Sequence, residues 1–315
     1  MAVSSVGSSV LSRAKTFGMS KLELKELLWG LLFASPWIVG LLAFTGWPIL
    51  SSLYYSFTQY SVLSASKWVG LDNYATMFVH DDVFRRALYN STYFAIIFVP
   101  VGIVSAITVA MLLNQKIRGQ PIYRTIYFLP VLVPDVALSI LWMWLMNPQL
   151  GLVNSLLWEL FKIQGPGWIA DPDWSKSAVV LMSLWTIGRS VVIYLASLQD
   201  VPQDLYDAAA VDGTNWWQSI RNVTLPMISP VIFFTFITSM IGSLQLFTVP
   251  YIMSAGDGRP AQSLMFYSMS LYRNAFIYFK MGYACSMAWV LFVIVLIGTL
   301  LVFRSSSRWV YYAGG

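Results

Sequence analysis

The sequence is short of charge, cysteine and histidine. Charged residues fill 10% of its 315 positions, against 57% hydrophobic and 16% aromatic. Soluble domains carry about a quarter charged residues, so the chain lacks the polar surface a water-soluble globule of this length needs. One cysteine, Cys285, excludes an intramolecular disulfide. Together with the single histidine, His80, it cannot build a Cys/His metal cluster. No Ser/His/Asp set can be assembled, so no catalytic residue, metal site or cofactor is expected. The net charge of +5 comes from Lys and Arg scattered among polar stretches rather than gathered on one face. That distribution suits membrane orientation and argues against nucleic acid as a partner.

What the chain has instead is long apolar runs. A bilayer core takes roughly 20 apolar residues of helix, and six segments meet this: about 28–53, 92–113, 125–146, 177–198, 228–253 and 283–303. They are apolar around the whole circumference, and Pro100, Pro130, Pro134 and Gly242 fall within them, as membrane bundles tolerate. The reading is an all-α membrane protein with six transmembrane helices. It has a polar N-terminal tail (1–27), a six-span domain (28–303) and a polar C-terminal tail (304–315). The N-terminal tail carries Arg13, Lys15, Lys21 and Lys25 and reads as retained rather than as a cleaved signal. The short segment 114–124 holds Lys116, Arg118 and Arg124 and no acid, which places it in the cytoplasm and makes the topology N-in, C-in. Trp29, Trp47, Tyr54, Tyr55, Tyr93, Tyr123, Tyr127, Trp309, Tyr311 and Tyr312 supply an interfacial aromatic belt.

The polar segment 201–226 between the fourth and fifth spans is built as more than a connector. Pro202 suits a first helical turn, and Asp204 and Asp207 complement a helix N-terminus. Ala208, Ala209 and Ala210 are strong helix formers, and Gly213 is placed to end the helix in a left-handed turn. A second short helix is expected from about Thr214 to Asn222, with Pro226 at the start of the fifth span. The result is a helix–turn–helix bracket with small residues outward, suited to docking another protein. An ordinary re-entrant or amphipathic loop has the same composition.

Asp207-Ala208-Ala209, then Gly213, then Val223-Thr224-Leu225-Pro226 resembles the EAA loop of binding-protein-dependent ABC import permeases. Asp207 stands where that pattern has Glu and Val223 where it has Ile. The resemblance covers about 69–303 and points to the carbohydrate branch, through Gly70-Leu-Asp-Asn-Tyr74, Arg124-Thr-Ile-Tyr-Phe-Leu-Pro130, Trp142, Asn147-Pro148 and Gly282-Tyr-Ala284. It implies the type I ABC importer permease fold in the plasma (inner) membrane of a prokaryote. The implied partners are a second, paralogous permease, two ATP-binding cassette subunits and an extracytoplasmic solute-binding protein, and the cargo is a sugar-like solute. Asp207, Ala208, Ala209, Gly213, Leu225 and Pro226 would couple the pore to the ATPases. The chain has no GxxxxGK[ST] phosphate loop, so it is not itself the motor.

Ionisable groups inside a bilayer are costly and face a partner or a wet cavity. Asp135 and Arg189 fall within the third and fourth spans. Counted along unbroken helices at about 1.5 Å per residue, they reach matching depths. They are candidates either to line the substrate pathway or to pair and fix helix register. Gln245, Trp142 and Tyr251 are further pathway candidates, since amides and rings suit sugar hydroxyls and faces, though each also suits packing. An ion-coupled secondary transporter would use Asp135 and Arg189 as well, but would leave 201–226 without a task. An intramembrane enzyme would need a polar catalytic set that the spans do not contain.

Overall fold

The computed structural model describes residues 21–115 and 118–311. Arg13, Lys15, Lys116 and Tyr312 lie outside the described residues. The chain divides into two units, 1–55 and 56–315.

In the first unit, α1 (Lys21–Leu41) runs through a π-helical turn (Leu42–Gly46) into α2 (Trp47–Ser56). Pro48 cannot donate to the carbonyl four residues back, and the helix widens over the turn before it instead of breaking. The same arrangement recurs before Pro226, where a π turn covers Ile220–Thr224.

The second unit opens with a two-stranded hairpin. β1 (Thr58–Ser61) and β2 (Ser64–Trp68) pair antiparallel with a bulge between Gln59 and Ser61. The hairpin is a departure from an all-helical chain that the sequence did not disclose. α3 (Asp72–Val79) follows, then α4 (Asp82–Asn114), whose N-cap Asp81 accepts from the Phe84 amide at 2.9 Å. At 33 residues α4 is far longer than the 92–113 span expected.

The third span is not one helix. α5 (Gln120–Phe128) and a 3₁₀ turn (Leu129–Leu132) meet α6 (Asp135–Leu145) at 100°. Pro130 and Pro134 each remove a backbone donor and bias the preceding residue out of helix, which breaks the segment there. α7 (Leu152–Phe161) is a short apolar helix. The fourth span is bent by 47° between α8 (Pro172–Trp185) and α9 (Gly188–Gln199). Gly188 allows the bend to close on its neighbour, because a Cβ there would collide with the carbonyl oxygen of Tyr127 in α5. α10 (Gln203–Val211), α11 (Trp216–Ser219), α12 (Leu225–Leu244) and α13 (Thr248–Met253) follow, then α14 (Tyr267–Tyr272), a π turn (Arg273–Ile277) and α15 (Met281–Ser306).

Among the described residues four helices are long and apolar enough to cross a membrane, six if each bent pair counts as one span. The span-length stretch of α15 is 17% buried, so most of its apolar surface faces outward, as lipid-facing helices require.

The packing sorts into two ends. Ala106, Ile107, Ala110 and Leu113 at the end of α4 pack on Val191, Tyr194, Leu195 and Leu198 of α9 and Ile228 of α12. Away from that cluster, Phe94 of α4 packs with Leu138 of α6, Val179 and Met182 of α8, and Val249 and Met253 of α13. The bent fourth span therefore gives α9 to the first cluster and α8 to the second, while the third span gives α6 to the second.

Candidate functional site

The segment 201–226 folds as a closed bracket. α10 ends at Gly213 with φ +72°, the Gly213 amide donating to Ala210 at 3.1 Å and the Thr214 amide to Ala209 at 3.1 Å. That pair of bonds is the Schellman cap, which satisfies the last carbonyls of the helix through one left-handed residue. Among the described residues nothing stands near the space a Cβ would fill at Gly213, so the left-handed backbone conformation calls for glycine. Asn215 then caps α11: its side chain accepts from the Gln218 amide at 2.9 Å while Gln218 accepts from the Asn215 amide at 2.8 Å.

Two side-chain bonds tie the arms together. Tyr206 in α10 bonds to Thr224 at 3.0 Å, and Thr214 bonds to Ser219 at 3.1 Å. Ile220 and Thr224 are buried at the base. Here the structure corrects the expected second helix of 214–222. The second arm is the first turn of a helical run that continues from Trp216 through the π turn into α12 and ends at Leu244. A force on the bracket is thus applied to the fifth span without an intervening loop.

Asp207 is exposed and accepts from Gln203 one turn earlier at 3.2 Å. Ala208 and Ala210 are exposed, but Ala209 is buried and faces the bracket interior, so the small residues do not all point outward. Leu225 and Pro226 are half-buried at the base. Val211, Trp216 and Trp217 are exposed large side chains on the bracket. The composition of the segment did not single them out.

The pathway candidates separate into two kinds. Trp142 and Tyr251 are packed. Trp142 meets Trp185 edge to face at 6.0 Å, and Tyr251 sits between Phe247 at 5.1 Å and Tyr272 at 5.7 Å. Asp135, Arg189 and Gln245 are exposed, and each stands at a break in a spanning segment. Asp135 opens α6 after Pro134, Arg189 is in the first turn of α9, and Gln245 ends α12. Among the described residues the ion pairs are Arg85–Asp82 and Arg259–Asp257, so Asp135 and Arg189 do not pair. Matching depths for Asp135 and Arg189 would require unbroken helices. The 100° turn before Asp135 removes that premise.

At the opposite end from the bracket, the structure explains sequence patterns whose geometry was not legible. Asn73 donates to the carbonyls of Ser56 and Thr58, both at 2.9 Å, and Tyr74 donates to Ser56 Oγ at 2.8 Å. A Cβ at Gly282 would collide with the Thr58 carbonyl, so glycine lets α15 lie against β1. Tyr283 donates to Asp81 at 2.6 Å, tying the first turn of α15 to the cap of α4. These clamps frame a cavity of about 950 Å³ lined by Tyr60, Lys67, Asn73, Asp257, Arg273 and Lys280 among others. Asn90, which begins an Asn-Ser-Thr triplet, is buried and donates to the carbonyls of Gln262 and Met265. It is a structural residue and no surface acceptor.

Residues 98–310 match the family described as binding-protein-dependent transport system inner membrane component. The chain is 39% identical over 289 residues to the probable ABC transporter permease protein YesP of Bacillus subtilis (strain 168), covering 91% of this chain and 93% of that one. It is 36% identical over 284 residues to the lactose transport system permease protein LacF of Rhizobium radiobacter, covering 89% and 94%. Its fold matches a chain in the crystal structure of a bacterial alginate ABC transporter in complex with an alginate pentasaccharide-bound periplasmic protein. The TM-score there is 0.78 at 23% identity, over 91% of this chain and 96% of that one. With a family match over 98–310, relatives aligned almost end to end and the importer permease fold in common, the chain belongs to the binding-protein-dependent transport system inner membrane component family.

Proposed function

We propose that the chain is one half of the translocation pore of an ABC importer for a sugar or sugar-like solute, driven through the 201–226 bracket. The observation that carries this reading is mechanical. The bracket is cross-tied by Tyr206–Thr224 and runs as one helical column into α12, so a partner that grips it moves a spanning helix. Asp207 offers an exposed carboxylate to a basic group on an ATPase subunit, and Trp216 and Trp217 offer apolar area on the same bracket. The sugar class follows the relative named for lactose transport and the fold match to the bacterial alginate ABC transporter.

In this reading the bracket lies in the cytoplasm, with both termini on that side. The chain sits in a prokaryotic inner membrane with a paralogous permease, two ATP-binding cassette subunits and a solute-binding protein. The six-span domain (28–303) forms the pore wall between the polar tails 1–27 and 304–315. The three helix breaks support a pathway past Asp135, Arg189 and Gln245. A broken helix leaves backbone groups without intrahelical partners, and within a membrane such backbone is tolerated where it lines a water-filled cavity or is buried in protein. Trp142 and Tyr251 would serve as packed walls behind it.

The test is a tagged purification in mild detergent comparing wild type with Asp207→Lys. Wild type brings down an ATPase and a second multi-span permease, and Asp207→Lys loses the ATPase while keeping the permease. A wild-type chain that purifies without any ATPase would sink the reading.

A further inference from the structure

Between α5 and α9, near the bracket, lies a cleft of about 450 Å³ whose walls include Leu113, Phe128, Val191, Val192, Leu195 and Ala196. Of the described residues lining it, one is charged, Arg124, and none is acidic. The Nε of Arg124 is buried and has no hydrogen-bond partner among the described residues. A guanidinium always carries its charge and offers donors in a planar fork matched to carboxylate or phosphate. Leaving one of its nitrogens buried and unbonded is costly, and no group within the cleft relieves it.

Position adds a second constraint. Arg124 is one turn into α5, about 6 Å along the helix from Gln120. At the deep end the cleft is closed where Gly188 lets α9 meet the Tyr127 carbonyl. The other end is marked by Leu113 and Gln199, the last residues of the α4 and α9 walls. An apolar trough with a cation one turn inside its mouth asks for a ligand with an anionic head and an aliphatic tail.

We propose that this cleft binds an anionic phospholipid, the phosphate on Arg124 and one acyl chain along α9. Exposed Arg118, in the segment leading into α5, adds positive charge at the headgroup level. The proposal depends on the chain lying in a bilayer and is independent of which solute is carried.

The experiment is native mass spectrometry of the whole importer purified with its partners, titrated with phosphatidylglycerol and, separately, phosphatidylcholine. Wild type retains phosphatidylglycerol in preference to phosphatidylcholine. Arg124→Gln weakens phosphatidylglycerol retention about tenfold, the scale of one lost charge-assisted bond, and Arg124→Lys recovers part of it. Ala196→Phe, which fills the trough and leaves the charge, weakens it as well. The proposal is overturned if both lipids are retained equally and Arg124→Gln changes nothing. Displacement of the lipid by equimolar inorganic phosphate overturns it too, because the site would then be a free-anion site. Loss of the second permease from Arg124→Gln with the lipid count unchanged makes Arg124 a subunit contact and has the same consequence. Should Arg124→Gln fail to assemble, unaltered phosphatidylglycerol retention by Ala196→Phe decides against the proposal.

Discussion

The bracket end and the hairpin end of the second unit are held together by different means. The bracket is a local object. Its cap, capping box and cross-ties join residues within 203–224, and its shape could form with little help from the rest of the chain. The hairpin end is assembled from remote parts. Asp81 meets Tyr283, Asn90 meets Gln262 and Met265, the Ser91 hydroxyl accepts from the Tyr267 amide at 2.8 Å, and Ser175 meets Ser263 at 2.7 Å. Local bonding yields a part that can be moved as a unit by a partner. Remote bonding yields a frame in which one lost contact loosens several elements.

Substitutions at the two ends should therefore fail differently. The largest effect is expected at Gly282→Val, where the new side chain must displace the Thr58 backbone. Overpacking of this kind costs about 1–3 kcal/mol, and the purified protein should melt earlier and expose the hairpin to protease. A wild-type melting curve would show that the α15–β1 contact is dispensable. Tyr283→Phe comes next. It removes the bond to Asp81 without changing volume, for about 1–2 kcal/mol. Asp81→Ala should cost more, because the α4 cap is lost as well. Equal melting temperatures for the two variants would dissolve that distinction.

At the bracket, Gly213→Ala has room for its methyl but must hold a left-handed backbone, at about 1–2 kcal/mol. Because the cost is local, transport should fall several-fold while the melting temperature of the whole barely moves. Gly213→Asn should retain more transport than Gly213→Ala, since Asn tolerates that conformation. If Gly213→Ala lowers melting as much as Gly282→Val, the bracket is no separate unit.

The smallest expected effect is a pH response in the loop between α13 and α14. Hydrogen bonds from Arg259 hold the Asp257 carboxyl below its ordinary value, which is about 4. A depressed acid stabilises the folded state above its unfolded pKa and loses that contribution as pH falls through the lowered value. The pair is exposed, so screening keeps the effect local. Amide exchange at 257–259 should quicken only below about pH 4, and Asp257→Asn should abolish the response. A response centred above pH 5 would place its origin elsewhere.

The bracket was readable because its signals are short-range. Gly213 in a left-handed turn, acids at a helix start and proline before a span are read from a few neighbouring residues. The hairpin was not readable. Thr58–Ser61 and Ser64–Trp68 are short, largely polar and without alternation, and what holds them is the side chain of Asn73 and the bare backbone of Gly282. The broken third span was half readable. Pro130 and Pro134 were visible, but proline is tolerated in membrane helices, as Pro100 within α4 demonstrates, and only packing decides whether it bends or breaks one.

Composition and apolar run length by themselves determined that the chain crosses a membrane several times, because a bilayer penalises every unpaired backbone group and every charge. Local pattern determined where the bracket lies. The tertiary structure alone decided that Asp135, Arg189 and Gln245 stand at helix breaks, that Ala209 turns inward, and that Arg124 faces an apolar cleft. Each of these depends on which distant segment approaches, and neither helical period nor residue spacing carries that information.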